Sequence, residues 1–161
     1  MIWTKLKKTA EALLADTLKG RIEYHLTRYG KGVSYFMSRG WITLDKKEIA
    51  NFSTIKRIRE SYELTGEWYS DEQQTIDILD RRGIFTRDDF VDALEKYIGM
   101  QVEDAIQSSN PIIRAIAMFD RRLGKRRIGA LSLGEGEYQL VATFYQMRCQ
   151  AESLQPETNT S

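Results

Sequence analysis

The sequence predicts an α+β domain with an N-terminal helix, a three- to four-stranded antiparallel meander and a mainly helical C-terminal half. Apolar residues recur at helical spacing over residues 1–20, polar and apolar residues alternate over 22–26, and helical spacing returns after Ser53. A chain of 161 residues with 42% hydrophobic content is large enough to bury one core. We therefore expect a single domain over residues 1–154 and a disordered polar tail over residues 155–161.

The first third of the chain is expected to form a helix and the meander. Alternation places Tyr24 on the buried face of the first strand. The helix should cover that face, because an isolated hairpin is only marginally stable in water. The predicted hairpin turns at 45–47, where lysines disfavour a positive φ angle, so its turn type stays open. The predicted elements are a helix from Thr4 to near Gly20, a strand from Arg21, a loop over 29–32, a second strand over Val33–Met37, and hairpin strands over 40–45 and 47–52.

Capping signals place the later helices. Thr86 with Asp89 three residues on is typical of a capping box, and Asn110 followed by Pro111 is typical of a helix start. We expect the helix from Pro111 to continue through Arg121 and Arg122 and to end at Gly124 in the left-handed conformation. The other predicted helices are Ile55–Leu64, one capped by Ser70 and ending at Gly83, one from Thr86 to Ile98, Val102–Ile106 and Tyr138–Ala151.

Composition excludes several classes of protein. The single cysteine, Cys149, cannot form an intramolecular disulfide, and one cysteine with one histidine cannot build a structural zinc site. No window reaches the ~18 consecutive apolar residues of a membrane span, and the N-terminal segment is charged throughout. The glycine pairs at 30–32 and 134–136 are too short for a phosphate loop. We expect a cytoplasmic protein with no cofactor, no metal and no membrane contact.

The strongest functional signal is the segment 110–127, where an apolar helix leads into five cations within eight residues. Cations at the end of that helix would complement its dipole, at ~0.3–1 kcal/mol each. Residues 125–127 would lie beyond the helix, where a group of Lys and Arg side chains favours binding of phosphate or another polyanion. The alternative is that Arg126 and Arg127 pair with the acidic middle of the chain, for instance around Asp88, Asp89 and Asp92.

Aromatic residues concentrate on the meander, interleaved with cations, which is typical of surfaces that stack single-stranded bases. A core needs the same residue types. Trp41 alternates with Ile42 and Leu44, so we expect it to be the better surface candidate. The complete predicted nucleic-acid surface is Arg28, Arg39, Trp41, Arg122, Lys125, Arg126 and Arg127.

His25 shares its predicted strand face with Glu23 and Thr27, so Glu23 and His25 form a second candidate polar site. A histidine beside a carboxylate can act as a general base, although a histidine on a strand surface is more often a solvated polar residue. Cys149 lies among apolar residues of the last predicted helix, which favours packing over nucleophilic chemistry. No residue is therefore assigned a catalytic role.

These patterns leave three hypotheses of function. The first is a non-catalytic module that binds nucleic acid or another polyanion through the basic surface. The second is a protein-interaction module, of an immunity or regulatory type, that uses the acidic helical middle from Glu60 to Asp104. Residues 55–110 carry thirteen Asp/Glu against seven Lys/Arg, whereas residues 1–54 carry five against ten. The third hypothesis is an enzyme centred on His25.

Six stretches of the chain together carry a resemblance. They are Trp3–Lys8, Lys19–Arg21, His25–Tyr29, Arg39–Leu44, Asn110–Ala115 and Asp120–Arg127. Through them most of the chain resembles a family of short, conserved hypothetical bacterial proteins whose function is unknown. The resemblance implies a bacterial cytosolic protein, and it supplies no catalytic residue, cofactor or partner.

Overall fold

The computed structural model describes residues 1–27 and 35–155, without the side chain of Tyr35. It confirms the expected architecture of an N-terminal helix, a three-stranded antiparallel sheet and a mainly helical second half. The helices are α1 (Trp3–Ala12), α2 (Thr54–Thr65), α3 (Gln73–Arg81), α4 (Arg87–Tyr97), α5 (Val102–Ile106), α6 (Pro111–Ala117), α7 (Lys125–Ala130) and α8 (Gln139–Ala151), and the strands are β1 (Ile22–Leu26), β2 (Arg39–Leu44) and β3 (Lys47–Ser53).

The strands pair in the order β1-β2-β3, and their alternation separates a buried face from an outer face. Tyr24 is opposite Ile42 on the buried face, and both side chains are completely buried, as the alternation predicts. Gly40 lies on the same face below the ring of Phe90 of α4. A Cβ atom at residue 40 would lie 2.3 Å from Cδ1 of Phe90, so the close packing of α4 on the sheet requires glycine there.

The core extends from the sheet through three layers of helices. Helix α4 packs on β2 and β3 on one side and on α6 on the other, and α8 packs on α6. Aromatic rings join these layers, because Phe90 stacks on Phe52 of β3 with ring centroids 4.4 Å apart. Phe119, just after α6, stacks on Phe144 of α8 at 4.5 Å. The stacks fix the helical half onto the sheet.

Local capping signals are confirmed where the sequence is most explicit. The hydroxyl of Thr86 accepts the backbone N–H of Asp89 at 3.0 Å, and the Asp89 carboxylate accepts the N–H of Thr86 at 2.8 Å. The side chain of Asn110 accepts the N–H groups of Ile112 and Ile113, with Pro111 in the first turn. Ser70 does not cap α3, because that helix begins at Gln73 and the Ser70 hydroxyl instead accepts the N–H of Glu72.

The predicted length of the N-terminal helix is wrong, since α1 ends at Ala12 instead of near Gly20. The chain leaves the helix to pair with the segment that follows α6. The N–H of Ala15 donates to the carbonyl of Phe119, and the N–H of Arg121 donates to the carbonyl of Leu13, both at 2.8 Å. These two long-range bonds replace the intrahelical bonds that would have continued α1.

The meander has three strands, and the expected strand over Val33–Met37 is wrong where the structure describes it. Residues Tyr35–Met37 form a 3₁₀ turn, and residues 33 and 34 lie outside the described part of the chain, as does the predicted loop over 29–32. The hairpin turns through Asp45 and Lys46, both with positive φ angles of 51° and 69°. This turn carries lysine in a conformation that favours glycine or asparagine. The predicted tail over 156–161 also lies outside the described residues.

Candidate polyanion-binding surface

The five-cation segment does not continue the preceding helix, so the expected end of that helix is wrong. Helix α6 ends at Ala117, and Gly124 has a φ of −71°, which is not left-handed. Gly124 instead directly precedes a new helix, α7, whose first residue is Lys125. The cations therefore divide between the turn over 118–124, which we call the α6–α7 turn, and the first turn of α7.

Arg148 of α8 explains why the helix stops. Its guanidinium donates to the backbone carbonyls of Met118 at 2.9 Å, Asp120 at 3.0 Å and Leu123 at 2.6 Å. A continuing α-helix would use the same carbonyls as acceptors for residues four positions further on. Arg148 is only 2% exposed, so its donors have no solvent to satisfy them and remain on the turn. The Oε1 of Glu152 accepts from Arg148 at 2.9 Å and completes the charge pair.

Arg122, which the sequence assigns to the nucleic-acid surface, points back into the protein. Its guanidinium pairs with the fully buried Asp120 at 2.7 Å and donates to the carbonyl of Met100 at 2.8 Å. The hydroxyl of Tyr97 donates to the same Asp120 carboxylate at 2.5 Å. The hydrogen bond to Asp120 raises the pKa of Arg122, and burial raises the pKa of Tyr97. This network anchors the α6–α7 turn and leaves Arg122 occupied.

The other cations of the segment are exposed. Arg121, Lys125, Arg126 and Arg127 all lie on the surface. Within the described residues, only Arg127 among them forms an ion pair, with Glu103 of α5 at 2.9 Å. The pKa of Glu103 is lowered by its own backbone hydrogen bond and then by Arg127. The predicted alternative, pairing with the acidic middle of the chain, is confirmed for Arg127, although the partner is Glu103 and not one of residues 88–92.

On the outer face of the sheet, three sequence-predicted residues form one stack. The ring of His25 on β1 stacks on Trp41 of β2 with centroids 5.0 Å apart and planes 10° apart. The guanidinium of Arg39 lies 4.1 Å from the centre of the Trp41 ring. Arg39 also donates to Glu48 at 2.5 Å and to Asn51 at 2.9 Å, both on β3. Its head group is therefore on the opposite side of β2 from His25.

This stack changes the expected role of Trp41. The indole is half-buried, with His25 of β1 on one side and the head group of Arg39, which reaches over toward β3, on the other. A base therefore has no uncovered ring face to stack on without displacing His25 or Arg39. The charge of Arg39 is balanced by Glu48, so this part of the sheet is not strongly basic.

The structure gives His25 no carboxylate partner among the described residues. Glu23 shares the outer face, as predicted, but it pairs with Lys46. The Nε2 of His25 lies 2.9 Å from the hydroxyl of Thr43. Burial lowers the pKa of His25, which favours the neutral ring at pH 7. The arrangement suits a packed polar residue rather than an oriented general base.

The predicted surface residues fall into two separate groups. Arg39 and Trp41 lie on the sheet, and 125–127 lie on α7, which packs on α8. No hydrogen bond, ion pair or ring contact between described residues joins the two groups. Arg28 lies outside the described part of the chain. Cys149 is buried, as expected from its apolar neighbours.

Neither a metal site nor a membrane-crossing helix is found in the described ranges. Within residues 1–27 and 35–155 no three His, Cys, Asp or Glu side chains are grouped so as to hold a metal ion. Over the same ranges no helix has the length and apolar character needed to cross a bilayer.

Sequence reasoning missed two features of the structure. One is the buried anchor of the α6–α7 turn, formed by Asp120, Tyr97 and Arg148. The sequence feature that could have revealed this anchor is Arg148 itself, a charged residue at helical spacing with the apolar residues Val141 and Phe144 of α8. The other is a group of exposed aromatic residues at the end of α2, within an acidic part of the sequence.

Comparison with known proteins identifies the family of the chain. No curated protein and no solved structure matches it. A protein-family profile, described as the SF0329 protein family, matches residues 2–149. Because that match covers nearly the whole chain, the protein belongs to the SF0329 protein family.

Proposed function

We propose that the protein is a non-catalytic module that binds nucleic acid or another polyanion through four exposed cations. These are Arg121, Lys125, Arg126 and Arg127, which we call the α7 basic surface. The observation that carries the proposal is their position, because they are exposed side by side and Lys125 and Arg126 begin a helix whose first turn holds no acidic residue. We further propose that the protein acts in the bacterial cytosol, as the resemblance of its sequence implies.

Cations in the first turn of a helix are electrostatically unfavourable. The N-terminal end of a helix is positive, and a charge there changes stability by ~0.3–1 kcal/mol. In α7 this unfavourable placement occurs at Lys125 and Arg126, the first two residues of the helix, whereas Arg127 falls in its last turn. The ion pair of Arg127 with Glu103 is exposed at both partners, so solvent screening leaves it little stabilising effect. Local choices that cost stability without a structural gain are expected at functional surfaces.

A polyanion would remove this cost. Each guanidinium can donate two parallel hydrogen bonds to a phosphate, and neighbouring phosphates would offset the mutual repulsion of the cations. The anchor of the α6–α7 turn supports the display, because Arg122 and Arg148 hold the turn from inside while Arg121 remains exposed. The surface is thus positioned before any ligand arrives.

The proposal is tested by fluorescence anisotropy with labelled single- and double-stranded DNA and RNA over a range of salt concentrations. The informative variant is Lys125→Glu/Arg126→Glu. Acidic residues in the first turn favour the helix, so this variant should fold at least as well as the wild type. Its matched control is Lys56→Glu/Arg59→Glu, which makes the same change of charge at exposed positions of α2.

We expect wild type and control to bind with an affinity that falls with salt, and the α7 variant to lose most of this binding. Two lost phosphate contacts would reduce the slope of log K against log salt by about 1.4–1.8. Equal binding by both variants would show that total charge, not the α7 basic surface, governs the interaction. Absence of binding by the wild type at low salt would refute the nucleic-acid proposal.

A further inference from the structure

A second surface of the protein exposes large apolar side chains. It lies at the end of α2 and in the segment before α3, and we call it the aromatic–acidic surface. Three aromatic rings there are more than half exposed: Tyr62 at 55%, Trp68 at 61% and Tyr69 at 62%, with Leu64 at 40% between them. Single exposed apolar residues are ordinary on proteins, but a run of aromatic rings within eight residues is typical of an interaction site.

The backbone that carries these rings is held by its own hydrogen bonds. Gly66 ends α2 in the left-handed conformation, with a φ of 75°, and its N–H donates to the carbonyl of Tyr62 at 2.8 Å. The hydroxyl of Ser61 donates to the carbonyl of Glu67 at 3.1 Å, and the hydroxyl of Thr65 accepts the N–H of Glu67 at 3.1 Å. The aromatic rings are therefore displayed by a fixed loop.

Two of the rings border a hollow in the protein surface. Trp68 and Tyr69 line a depression of about 60 Å³ together with Ile58 of α2 and Leu79 of α3. A depression of that size accepts one short apolar side chain, since a single water occupies about 30 Å³ of liquid. Polar side chains complete the lining, so the surface combines projecting rings with a small hollow of mixed polarity. They are Arg57, Ser61, Ser70 and Thr86.

The exposed charges of this segment have one sign, and Arg57, which also lines the hollow, is paired with Asp80 at 3.1 Å. No Lys or Arg occurs from Glu60 to Glu72. Glu60 pairs with Arg82 at 3.8 Å, and the other acids of the segment are exposed and form no ion pair with any residue that the structure describes. These unpaired acids are Glu63, Glu67, Asp71 and Glu72.

We propose that the aromatic–acidic surface docks a cationic segment of a partner protein that carries both Lys or Arg and apolar side chains. The four unpaired carboxylates select a basic partner, because a charged rim steers association toward the opposite charge. The rings offer apolar contact area and cation–π contacts to the same segment. This inference goes beyond the proposed function, since a negative surface repels nucleic acid, and either proposal can fail without the other.

The test is selection of random peptides displayed on phage against the immobilised wild-type protein. We expect enriched peptides to carry net positive charge together with apolar residues. Synthetic copies should bind the variant Trp68→Ala/Tyr69→Ala at least tenfold more weakly than wild type, and about 1.4 kcal/mol corresponds to each tenfold change. The control Ile2→Ala/Met37→Ala removes exposed apolar side chains elsewhere and should bind like wild type.

A second variant tests charge without altering the rings. Glu67→Lys/Asp71→Lys should weaken the same peptides, and added salt should reduce the difference between this variant and wild type. Enrichment of neutral or acidic peptides, or equal binding by both variants and wild type, would overturn the proposal. A concentration-dependent dimer in sedimentation that Trp68→Ala/Tyr69→Ala abolishes would also overturn it, because the occupant would then be a second copy of the chain.

Discussion

Replacement of Arg148 by methionine tests whether the Arg148 guanidinium holds the α6–α7 turn in place. Methionine retains length and apolar packing but removes every donor. The substitution would leave the carbonyls of Met118, Asp120 and Leu123 without the bonds that Arg148 supplies, in residues that are at most 1% exposed. It would also leave Glu152 without its charged partner.

The magnitude follows from these contacts. Each buried polar group that loses its partner costs ~1–3 kcal/mol. The carbonyls of Met118 and Leu123 lose theirs, whereas Asp120 still accepts the N–H of Leu123 at 3.1 Å, so two carbonyls give about 2 kcal/mol at the low end. Removal of one partner of a buried ion pair alone typically costs ~3–5 kcal/mol. We therefore expect Arg148→Met to lower the free energy of unfolding by at least ~3 kcal/mol, a large part of the ~5–15 kcal/mol of an ordinary domain.

Urea denaturation followed by circular dichroism measures this difference. The control is Arg126→Met, which makes the same chemical change at an exposed position and should stay within ~0.5 kcal/mol of wild type. A loss below ~1 kcal/mol for Arg148→Met would show that its guanidinium does not hold the turn. The early end of α6 would then need another cause.

Three further predictions concern the sheet. Gly40→Ala should cost ~1–3 kcal/mol of stability because its Cβ would lie 2.3 Å from Phe90, and unchanged urea denaturation would contradict that packing. Lys46→Gly should gain up to about 1 kcal/mol of stability, because glycine adopts a φ of 69° without strain. The control Lys47→Gly, within β3, should lose stability. A loss of stability in both variants would be inconsistent with strain at residue 46. Burial lowers the pKa of His25, so the neutral ring contributes stability above pH ~6.5 that is lost as pH falls below that value. Wild type should therefore lose more stability than His25→Gln on acidification from about pH 7.5 to 5, and equal losses would disprove the coupling.

Sequence signals located the elements whose ends are set by neighbouring residues. The capping box of Thr86 and the Asn110-Pro111 start are confirmed because each partner lies within three residues of the other. The strand at Ile22–Leu26 is confirmed because alternation decides which side faces the core. Local chemistry and the fold agree at these positions.

Elements whose ends depend on distant residues could not be located in this way. The sequence shows good helical spacing after both Ala12 and Ala117, yet the chain departs there to form bonds between residues 13–15 and 119–121. Arg148 contributes to the second departure from 25 residues or more along the chain. No local pattern near residue 118 contains that information.

The same limit applies to the candidate site. Composition identified the cations of 121–127, and exposure of four of them agrees with a binding surface. The effect of the helix dipole on a cation depends on where the helix ends. Because α6 ends at Ala117, Arg121 and Arg122 do not lie in its last turn, and Lys125 and Arg126 instead begin α7, where the dipole is unfavourable to them. Arg39 and Arg122 are occupied by Glu48 and Asp120, partners that a sequence window cannot assign.

Residues 13–15 bond to residues 119–121, and Arg148 bonds to the α6–α7 turn. The order in which these residues are synthesised determines when each set of bonds can form. Ribosomes add ~5–20 residues per second, so about 7–27 s pass between synthesis of residue 15 and synthesis of residue 148. The segment after α1 gains its backbone partners once residues 119–121 are made. The carbonyls of Met118, Asp120 and Leu123 have no guanidinium to accept from until residue 148 is made. The α6–α7 turn therefore gains all of its hydrogen bonds only after α8 has been made, which makes the last helix the element that completes this turn.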